Sequence, residues 1–308
     1  MFGSPQFNEP QACKQHRLLE WGTPSVSSGL RSESFCEATE NGDSLIFRLL
    51  FVGDVVGPAG CSAVLELVPE LREQLGLDAV VANAENSAPG GRGITKESGS
   101  ALLSLVDFLT LGDHAFDAEG YEDYLEREER IARPANLDEE LPGQGWGVFE
   151  ADGVTVGVAN VLGQVFIDHT PISPFEAADR AVAELEALGA DLVLVDAHAE
   201  ATSEKQALGY YLAGRAQAVL GTHTYVPTTD TVVLPSGTAY TTDVGMTGCE
   251  ESIIGFDREG FLGMFLGERR RLPVATRGPV IFSGVLVDFD LDGRRATGIE
   301  PVRREWKP

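Results

Sequence analysis

From Ser44 to the C-terminus, apolar runs of strand length alternate with amphipathic segments of helical length. The first three read IFRLLFV (46–52), CSAVLELVPELREQL (61–75) and DAVVANAEN (78–86), the pattern of a strand, a helix and a second strand. Elements with one apolar face must bury it against each other, so this rhythm requires a sheet with helices packed on it. We therefore predict an α/β fold with a two-layered sheet core flanked by helices.

The same rhythm predicts further elements along the chain. They are a helix near 95–107, a charged helix at 121–130, a hairpin turning at Asp152-Gly153, a helix near 174–188, and a helix that begins at Ser203 with Gln206 completing a capping box. The C-terminal third is mostly strand-like. The glycine-rich SAPGGRG (87–93) lacks the G-x-G-x-x-G spacing of a dinucleotide loop, which argues against a Rossmann-type oxidoreductase. We interpret this segment as a flexible loop at the rim of a site.

Polar residues follow five of the predicted strands, at the point where each strand ends. They are Asp54 in GDVVG, Glu85 and Asn86 in NAEN, Asp113 and His114 in GDH, His198 in DAH, and His223 in GTH. Ligand sites in α/β sheets lie at the carboxyl ends of strands, so these residues are expected to converge. Carboxylate, amide and imidazole groups are the ligands of Mn, Fe, Zn or Mg. Their number exceeds what one ion needs, which favours two ions sharing a bridging carboxylate.

Each of these clusters alone has an ordinary structural explanation. An aspartate after a strand often caps a helix or a turn, and a buried histidine is usually a hydrogen-bonded core residue. Recurrence at five strand ends makes a common site the better explanation. His16 and His169 lie outside the pattern and are given no role in it.

Charge restricts the class of partner. Acidic residues outnumber basic residues by 48 to 23, giving a formal charge of −25, and lysine occurs only at positions 14, 96, 205 and 307. Such a chain repels duplex DNA and anionic membranes on average, and its acidic surface suits solubility or high salt. An anionic substrate would need local positive charge, which bound metal ions could supply.

Residues 1–44 differ from the rest of the chain, being polar, rich in Ser, Glu and Gly, and without periodicity. We predict a disordered extension or a misassigned upstream start codon there, and a single domain at 45–308. A signal-peptide pattern and an apolar run of about 18 residues are both lacking, so a cytoplasmic location is expected. The four cysteines are scattered without a C-x-x-C pair, as in proteins of a reducing compartment.

Several segments together resemble the motifs of one protein family. They are GDVVG, NAENSAPGGRGIT, LGDHAF, IARPANL, DAHAEATSEK, GTHTYVPTTD and GTAYTTDVGMTG. In order and spacing they resemble the YmdB-like metallophosphoesterases of the calcineurin-like phosphoesterase superfamily, from about residue 46 to the C-terminus. The resemblance implies a calcineurin-like two-sheet β-sandwich flanked by helices, often a homo-oligomer. It also implies a bacterial two-metal phosphodiesterase acting on 2′,3′-cyclic nucleotides or aryl phosphodiesters.

The resemblance further implies a role for each polar residue. Asp54 and Asn86 would hold a first cation, Glu85 would bridge, Asp113, His198 and His223 would hold a second, and His114 would act as general acid. The expected cofactor is a pair of divalent ions, iron or manganese in the first place and magnesium or zinc as alternatives. Two cations about 3.5–4 Å apart can activate the attacking water and neutralise phosphoryl oxygens.

This chain departs from the family pattern at two positions. Asp113 stands where the family usually has asparagine in GNH, and Tyr225 stands where it usually has the second histidine of GTHTH. A neutral phenol is a poor ligand for most divalent ions. Either the Asp113 carboxylate compensates, or the first cation binds weakly. Tyr225 would lie beside the first cation, or else pack at the rim against a substrate base.

These departures leave two functional hypotheses from different classes. One is a dinuclear phosphodiesterase; the alternative is a degenerate member that binds a nucleotide or a protein as a regulator. Six of the seven expected ligand positions keep a residue type that can bind a metal. Since function depends on the site rather than on the fold, that number favours the enzyme.

The composition of the N-terminal segment generates a testable prediction. It offers little apolar surface to offset the loss of chain entropy on folding. Deleting residues 1 to 43 should therefore leave the thermal midpoint and phosphodiester hydrolysis nearly unchanged. Differential scanning calorimetry and a chromogenic diester assay would check this, and a fall of many degrees would mean that the segment packs on the core.

Overall fold

Two β-sheets packed face to face, with helices on their outer faces, form the described part of the chain. The computed structural model describes residues 46–167 and 171–308. The helices are α1 (Gly57–Leu75), α2 (Lys96–Leu102), α3 (Tyr121–Arg127), α4 (Pro174–Ala187), α5 (Thr202–Tyr211) and α6 (Arg258–Phe265). The strands are β1 (Ile46–Val52), β2 (Ala79–Asn83), β3 (Phe108–Thr110), β4 (Ile131–Ala132), β5 (Trp146–Ala151), β6 (Val154–Leu162), β7 (Leu192–His198), β8 (Ala218–Thr222), β9 (Val232–Val233), β10 (Ala239–Thr241), β11 (Gly248–Cys249), β12 (Val280–Asp290) and β13 (Arg295–Trp306). The predicted two-sheet fold flanked by helices is confirmed.

Both sheets are parallel at their centres. In the first sheet, β1, β2, β3 and β4 run parallel, and β12 pairs antiparallel with β1, β11 and β13. In the second sheet, β6, β7, β8 and β10 run parallel, with antiparallel β5 and β9 at the edges. Parallel strands end at the same edge of a sheet, so the loops that follow them are gathered there.

The side chains of β1 alternate between two apolar layers, one between the sheets and one under the helices. Phe47, Leu49 and Phe51 belong to the apolar cluster between the sheets, whereas Leu50 and Val52 belong to the cluster under α1 and α2. Successive side chains of a strand point to opposite faces, so a strand buried on both faces reads as a continuous apolar run.

β7 repeats this division in the second sheet. Leu192 and Leu194 face the other sheet, and Val193 and Val195 face α4 and α5. Towards the carboxyl ends of the strands several buried residues are polar instead. They are Asn83 of β2, Thr110 of β3, Asn160 of β6 and Asp196 of β7. The fold therefore builds an apolar layer that ends in a buried polar layer at one edge.

Several predicted helix limits were wrong. α2 ends at Leu102 and α3 at Arg127, short of the predicted 107 and 130. α3 stops because the Arg130 carbonyl accepts a hydrogen bond from the amide of Leu109, which draws the chain into the sheet. The predicted capping box is absent, since α5 begins at Thr202 and its N-cap is Ala201, whose side chain cannot cap.

Some expectations lie outside the described residues, namely those for the N-terminal 44 residues and for His169. Among the helices of 46–167 and 171–308, none combines the length and apolar character needed to cross a bilayer.

Candidate metal centre

The structure brings the seven predicted polar residues to one edge of the two sheets. Three groups have ligand atoms that all lie within 4.8 Å of one another: Asp113, His198 and His223; Asp54, Glu85 and His198; and Glu85, Asp113 and His114. Asn86 joins them through a hydrogen bond from Nδ2 to Glu85 Oε2 at 3.3 Å. Loops from both sheets thus contribute side chains to a single cluster.

His198 lies at the centre of this cluster. Its Nε2 is 2.9 Å from Glu85 Oε2, 3.2 Å from Asp113 Oδ1 and 3.1 Å from His223 Nδ1. Although burial opposes the charged ring, the carboxylates of Glu85 and Asp113 hold the pKa of His198 well above its usual value. Gly112 makes room for the ring, because a Cβ there would lie 2.2 Å from His198 Nε2.

A buried relay orients the His198 ring. Asp196 Oδ1 accepts a hydrogen bond from Thr222 Oγ1 at 2.6 Å, and Thr222 Oγ1 lies 2.8 Å from His198 Nδ1. A hydroxyl has one hydrogen, and Thr222 donates it to Asp196; the Nδ1–H of His198 therefore donates to Thr222. This leaves Nε2 to face the cluster, the arrangement typical of metal-binding histidines.

Asp196 was not predicted as a site residue, although it stands in the quoted DAH. Burial raises its pKa, while hydrogen bonds from Thr110, Thr222 and Asn83 oppose that rise. The signal that could have found it is strand alternation, since Asp196 shares a face with Leu194, which lies between the sheets.

The pKa values of two carboxylates in the cluster shift in opposite directions. Burial raises the pKa of Asp54 well above its usual value, and the charges of Asp243 and Glu85 raise it further, although His198 lowers it. Burial also acts to raise the pKa of Asp113, but hydrogen bonds from His198 and His223 bring it far below its usual range. Ionisation of Asp54 is therefore unfavourable unless a positive charge lies close by, and a bound cation would supply that charge.

The loop GTHTY adopts an uncommon backbone conformation. His223 and Tyr225 have φ angles of 88° and 61°, values that residues other than glycine rarely adopt. The His223 amide donates to Asp54 Oδ2 at 3.1 Å, and the Thr224 amide donates to Asp243 Oδ2 at 3.0 Å. These bonds hold the strained loop in place.

A buried ion pair completes this anchor. Lys205 Nζ lies 2.9 Å from Asp243 Oδ2 and donates to Thr224 Oγ1 at 3.2 Å, and both charged side chains are fully buried. Lys205 and Asp243 stand in the quoted motifs DAHAEATSEK and GTAYTTDVGMTG, but neither was predicted to take part in the site. Only the folded chain shows that they clamp the loop of His223.

Asn86 has a side-chain oxygen without a partner beside the cluster. Its Nδ2 donates to the Tyr225 hydroxyl at 2.9 Å and to Glu85 Oε2 at 3.3 Å. Its Oδ1 is buried and has no hydrogen-bond partner among the described residues. An orphaned amide oxygen among carboxylates and imidazoles fits a hard or borderline divalent cation. Burial, together with the charges of Glu85 and Asp54, raises the pKa of Tyr225 well above its usual value, so this side chain is a neutral phenol.

His114 lies at the edge of the cluster, with its side chain about one quarter exposed. Its backbone amide donates to Glu85 Oε1 at 2.5 Å, and its Nδ1 is 3.0 Å from Asp117 Oδ2. Asp117, which was not predicted as a site residue, thus orients the ring and leaves Nε2 as the atom directed away from it. Nε2 is 3.6 Å from Asp113 Oδ2.

A cleft of about 320 Å³ opens over the cluster. Its lining includes Asn86, His114, His223, Tyr225 and Arg92 of the glycine-rich segment. Its opposite wall is apolar and was not predicted: Ile254, Phe256, Phe261, Met264 and Leu272. A polar floor beside an apolar wall is the usual composition of a small-molecule site.

Known proteins share both the sequence and the fold of this chain. A family model described as YmdB-like protein matches residues 50–302. A 2′,3′-cyclic-nucleotide 2′-phosphodiesterase of Bacillus subtilis (strain 168) is 41% identical over 260 residues, covering 83% of this chain and 96% of that protein. The crystal structure of a hypothetical protein from Thermus thermophilus matches at 43% identity and a TM-score of 0.77, over 84% of this chain and 99% of the other. The crystal structure of a novel phosphatase from Mycoplasma pneumoniae matches at 30% identity and a TM-score of 0.78. This match covers 85% of this chain and 94% of the other.

Burial of Asp54 generates a prediction about metal and stability. Through the cation site that contains Asp54, Mn²⁺ at about 100 times the dissociation constant of that site should stabilise the metal-free wild-type protein by about 2.7 kcal/mol. Asp54→Asn should lose most of this gain. Without metal, the variant should be at least as stable as the wild type, because it no longer buries an unfavourable carboxylate.

Urea unfolding of both proteins, with and without Mn²⁺, measures these differences. Asp292→Asn is the matched control, since Asp292 is exposed and should leave the Mn²⁺ response unchanged. An equal response of the wild type and Asp54→Asn would contradict a metal role for Asp54.

Proposed function

This chain belongs to the YmdB-like protein family, and on that premise we propose that it is a divalent-metal-dependent phosphodiesterase that hydrolyses 2′,3′-cyclic nucleotides. The observation that carries the proposal is the buried cluster itself. Carboxylates and imidazoles with ligand atoms within 4.8 Å of one another lie beside Asn86, whose side-chain oxygen has no partner among the described residues, and an open cleft is lined by Asn86, His114 and His223. The similarity to a Bacillus subtilis enzyme of that name supports this choice of substrate.

The proposed centre holds two divalent cations. Asp54 and Asn86 would hold the first, Asp113, His198 and His223 would hold the second, and Glu85 would be shared. Glu85 is suited to sharing, because its Oε2 contacts both His198 Nε2 and Asn86 Nδ2. We propose iron or manganese, which accept mixed oxygen and imidazole ligands, with magnesium or zinc as alternatives. When bound, such cations lower the pKa of water and neutralise phosphoryl oxygens.

His114 is proposed as the general acid. In the reaction, a water oxygen attacks phosphorus, the bond from phosphorus to the 2′ oxygen breaks, and a 3′-phosphate remains. The departing 2′ oxygen takes up a proton, which His114 Nε2 would supply. Asp117 beside Nδ1 holds the ring in orientation for this donation. Such positioned proton transfer is worth about 10²–10⁴-fold in rate.

The cleft suits a nucleotide-sized ligand. Its apolar wall, with Phe256 and Phe261, offers a surface for a base, and Arg92 offers a positive charge for the phosphate. Among the described residues, none forms a hydrogen bond or ion pair with the Arg92 guanidinium, so it is available to an anion. The overall charge of −25 disfavours duplex nucleic acid, which leaves a small diester as the proposed substrate.

The decisive experiment combines metal analysis with product identification. Purified protein should contain divalent metal and convert 2′,3′-cyclic AMP to adenosine 3′-phosphate. Chelation should abolish turnover, and added Mn²⁺ should restore it. The alternative is a nucleotide-binding regulator. Such a protein would bind the nucleotide but would not hydrolyse it with iron, manganese, magnesium or zinc.

The proposed role of His114 generates a prediction that depends on the leaving group. His114→Ala keeps the backbone amide that donates to Glu85, so metal binding should be unchanged. Turnover of 2′,3′-cyclic AMP should fall by about 10²–10⁴-fold, because its alkoxide leaving group needs a proton. Hydrolysis of bis-p-nitrophenyl phosphate should fall far less, because its phenolate leaving group is already stable.

Steady-state kinetics with both substrates, and calorimetric titration with Mn²⁺, check this prediction. An equal loss for the two substrates would rule out a general acid. Loss of a bound cation would make His114 a ligand, which its distances from Glu85 and Asp113 also permit.

A further inference from the structure

Tyr225, one of the two residues that depart from the family pattern, contacts an amide nitrogen. The Tyr225 hydroxyl accepts a hydrogen bond from Asn86 Nδ2 at 2.9 Å. Tyr225 belongs to the strained loop anchored by Asp54 and Asp243, so its position is set by the same contacts that set His223. The contacts of this loop therefore fix the position of the Tyr225 phenol beside Asn86.

The contacts of Asn86 define which way its amide faces. The two hydrogens of Nδ2 have two acceptors, the Tyr225 hydroxyl and Glu85 Oε2, and Oδ1 is buried without a partner among the described residues. An amide turned by 180° would place Oδ1 against the Glu85 carboxylate, oxygen against oxygen. The observed orientation gives both Nδ2 hydrogens an acceptor and leaves only Oδ1 without a partner among the described residues.

Of the two acceptors, Glu85 has a second contact in the cluster, and the Tyr225 hydroxyl, among the described residues, does not. Glu85 Oε2 is also 2.9 Å from His198 Nε2, and its bond to Asn86 is the longer one at 3.3 Å. A bridging role would engage Glu85 further with cations. The phenolic oxygen would then be the remaining anchor for Nδ2.

We propose that Tyr225 is a positioning residue, whose hydroxyl holds the Asn86 amide with Oδ1 facing the first cation site, in place of a ligand at position 225. The inference rests on the proposed function for the existence of that site. It assigns Tyr225 a contact with Asn86 instead of with metal. Outer contacts that orient a ligand typically alter metal affinity by about 10–100-fold.

A double-substitution cycle in metal-free protein tests the inference without any turnover. Asn86→Asp replaces the amide with a carboxylate, whose two oxygens are equivalent and need no choice of orientation. Tyr225→Phe removes only the hydroxyl. Tyrosine and phenylalanine have the same backbone cost at φ 61°, the angle at position 225. Mn²⁺ affinity and stoichiometry are measured by calorimetry for the wild type, both single variants and the double variant.

We expect Tyr225→Phe to weaken one cation site by about 10–100-fold in the wild-type background. In the Asn86→Asp background, the same substitution should cause much less change. Tyr240→Phe is the matched control, because it removes a buried hydroxyl that bonds Thr242 away from the cluster, and it should leave the titration unchanged.

Three outcomes would overturn the inference. Equal weakening in both backgrounds would make Tyr225 a direct ligand, and an unchanged titration would exclude it from the centre. Intact metal binding with a loss confined to nucleotide binding would make it a rim residue. Turnover of 2′,3′-cyclic AMP is scored separately: a wild-type protein that shows the expected coupling but no hydrolysis would refute the proposed function and leave the inference standing.

Discussion

Burial of carboxylates at one edge of the two sheets is the constraint on which the centre depends. Asp54, Glu85 and Asp196 have no exposed surface, and burial raises the pKa of Asp54 and Asp196 because their charged forms lose water there. Ionised carboxylates are stable in a buried position only where hydrogen-bond donors or opposite charges lie close by. His198 and Lys205 supply part of that charge, and divalent cations would supply the rest. The electrostatics thus favour a metal centre more than any single distance does.

The same constraint explains why the loop GTHTY can be strained. His223 and Tyr225 have positive φ angles, and such a conformation persists only when several contacts impose it. Asp54 and Asp243 accept hydrogen bonds from this loop, and Lys205 neutralises Asp243 from behind. Buried charges that would otherwise be costly therefore also fix the positions of imidazole and phenol groups.

Much of the fold and the gathering of the candidate residues at one edge could be predicted, because both follow from local patterns. Apolar runs of strand length indicated the strands, and parallel strands that end at one edge bring Asp54, Glu85 and His198 together. The limits of α2, α3 and α5 were less predictable, since hydrogen bonds to distant strands, such as Leu109 to Arg130, decide where a helix stops.

The sequence by itself determined the two-sheet class, the residue types at the strand ends and the presence of tyrosine at position 225. Only the tertiary structure decided which of these groups touch. The relay from Asp196 through Thr222 to His198 and the contact of Tyr225 with Asn86 join residues from different strands and loops. The physical reason is that a pattern along the chain specifies which face a side chain occupies, whereas a hydrogen bond requires a distance and an angle that the packing of both sheets sets.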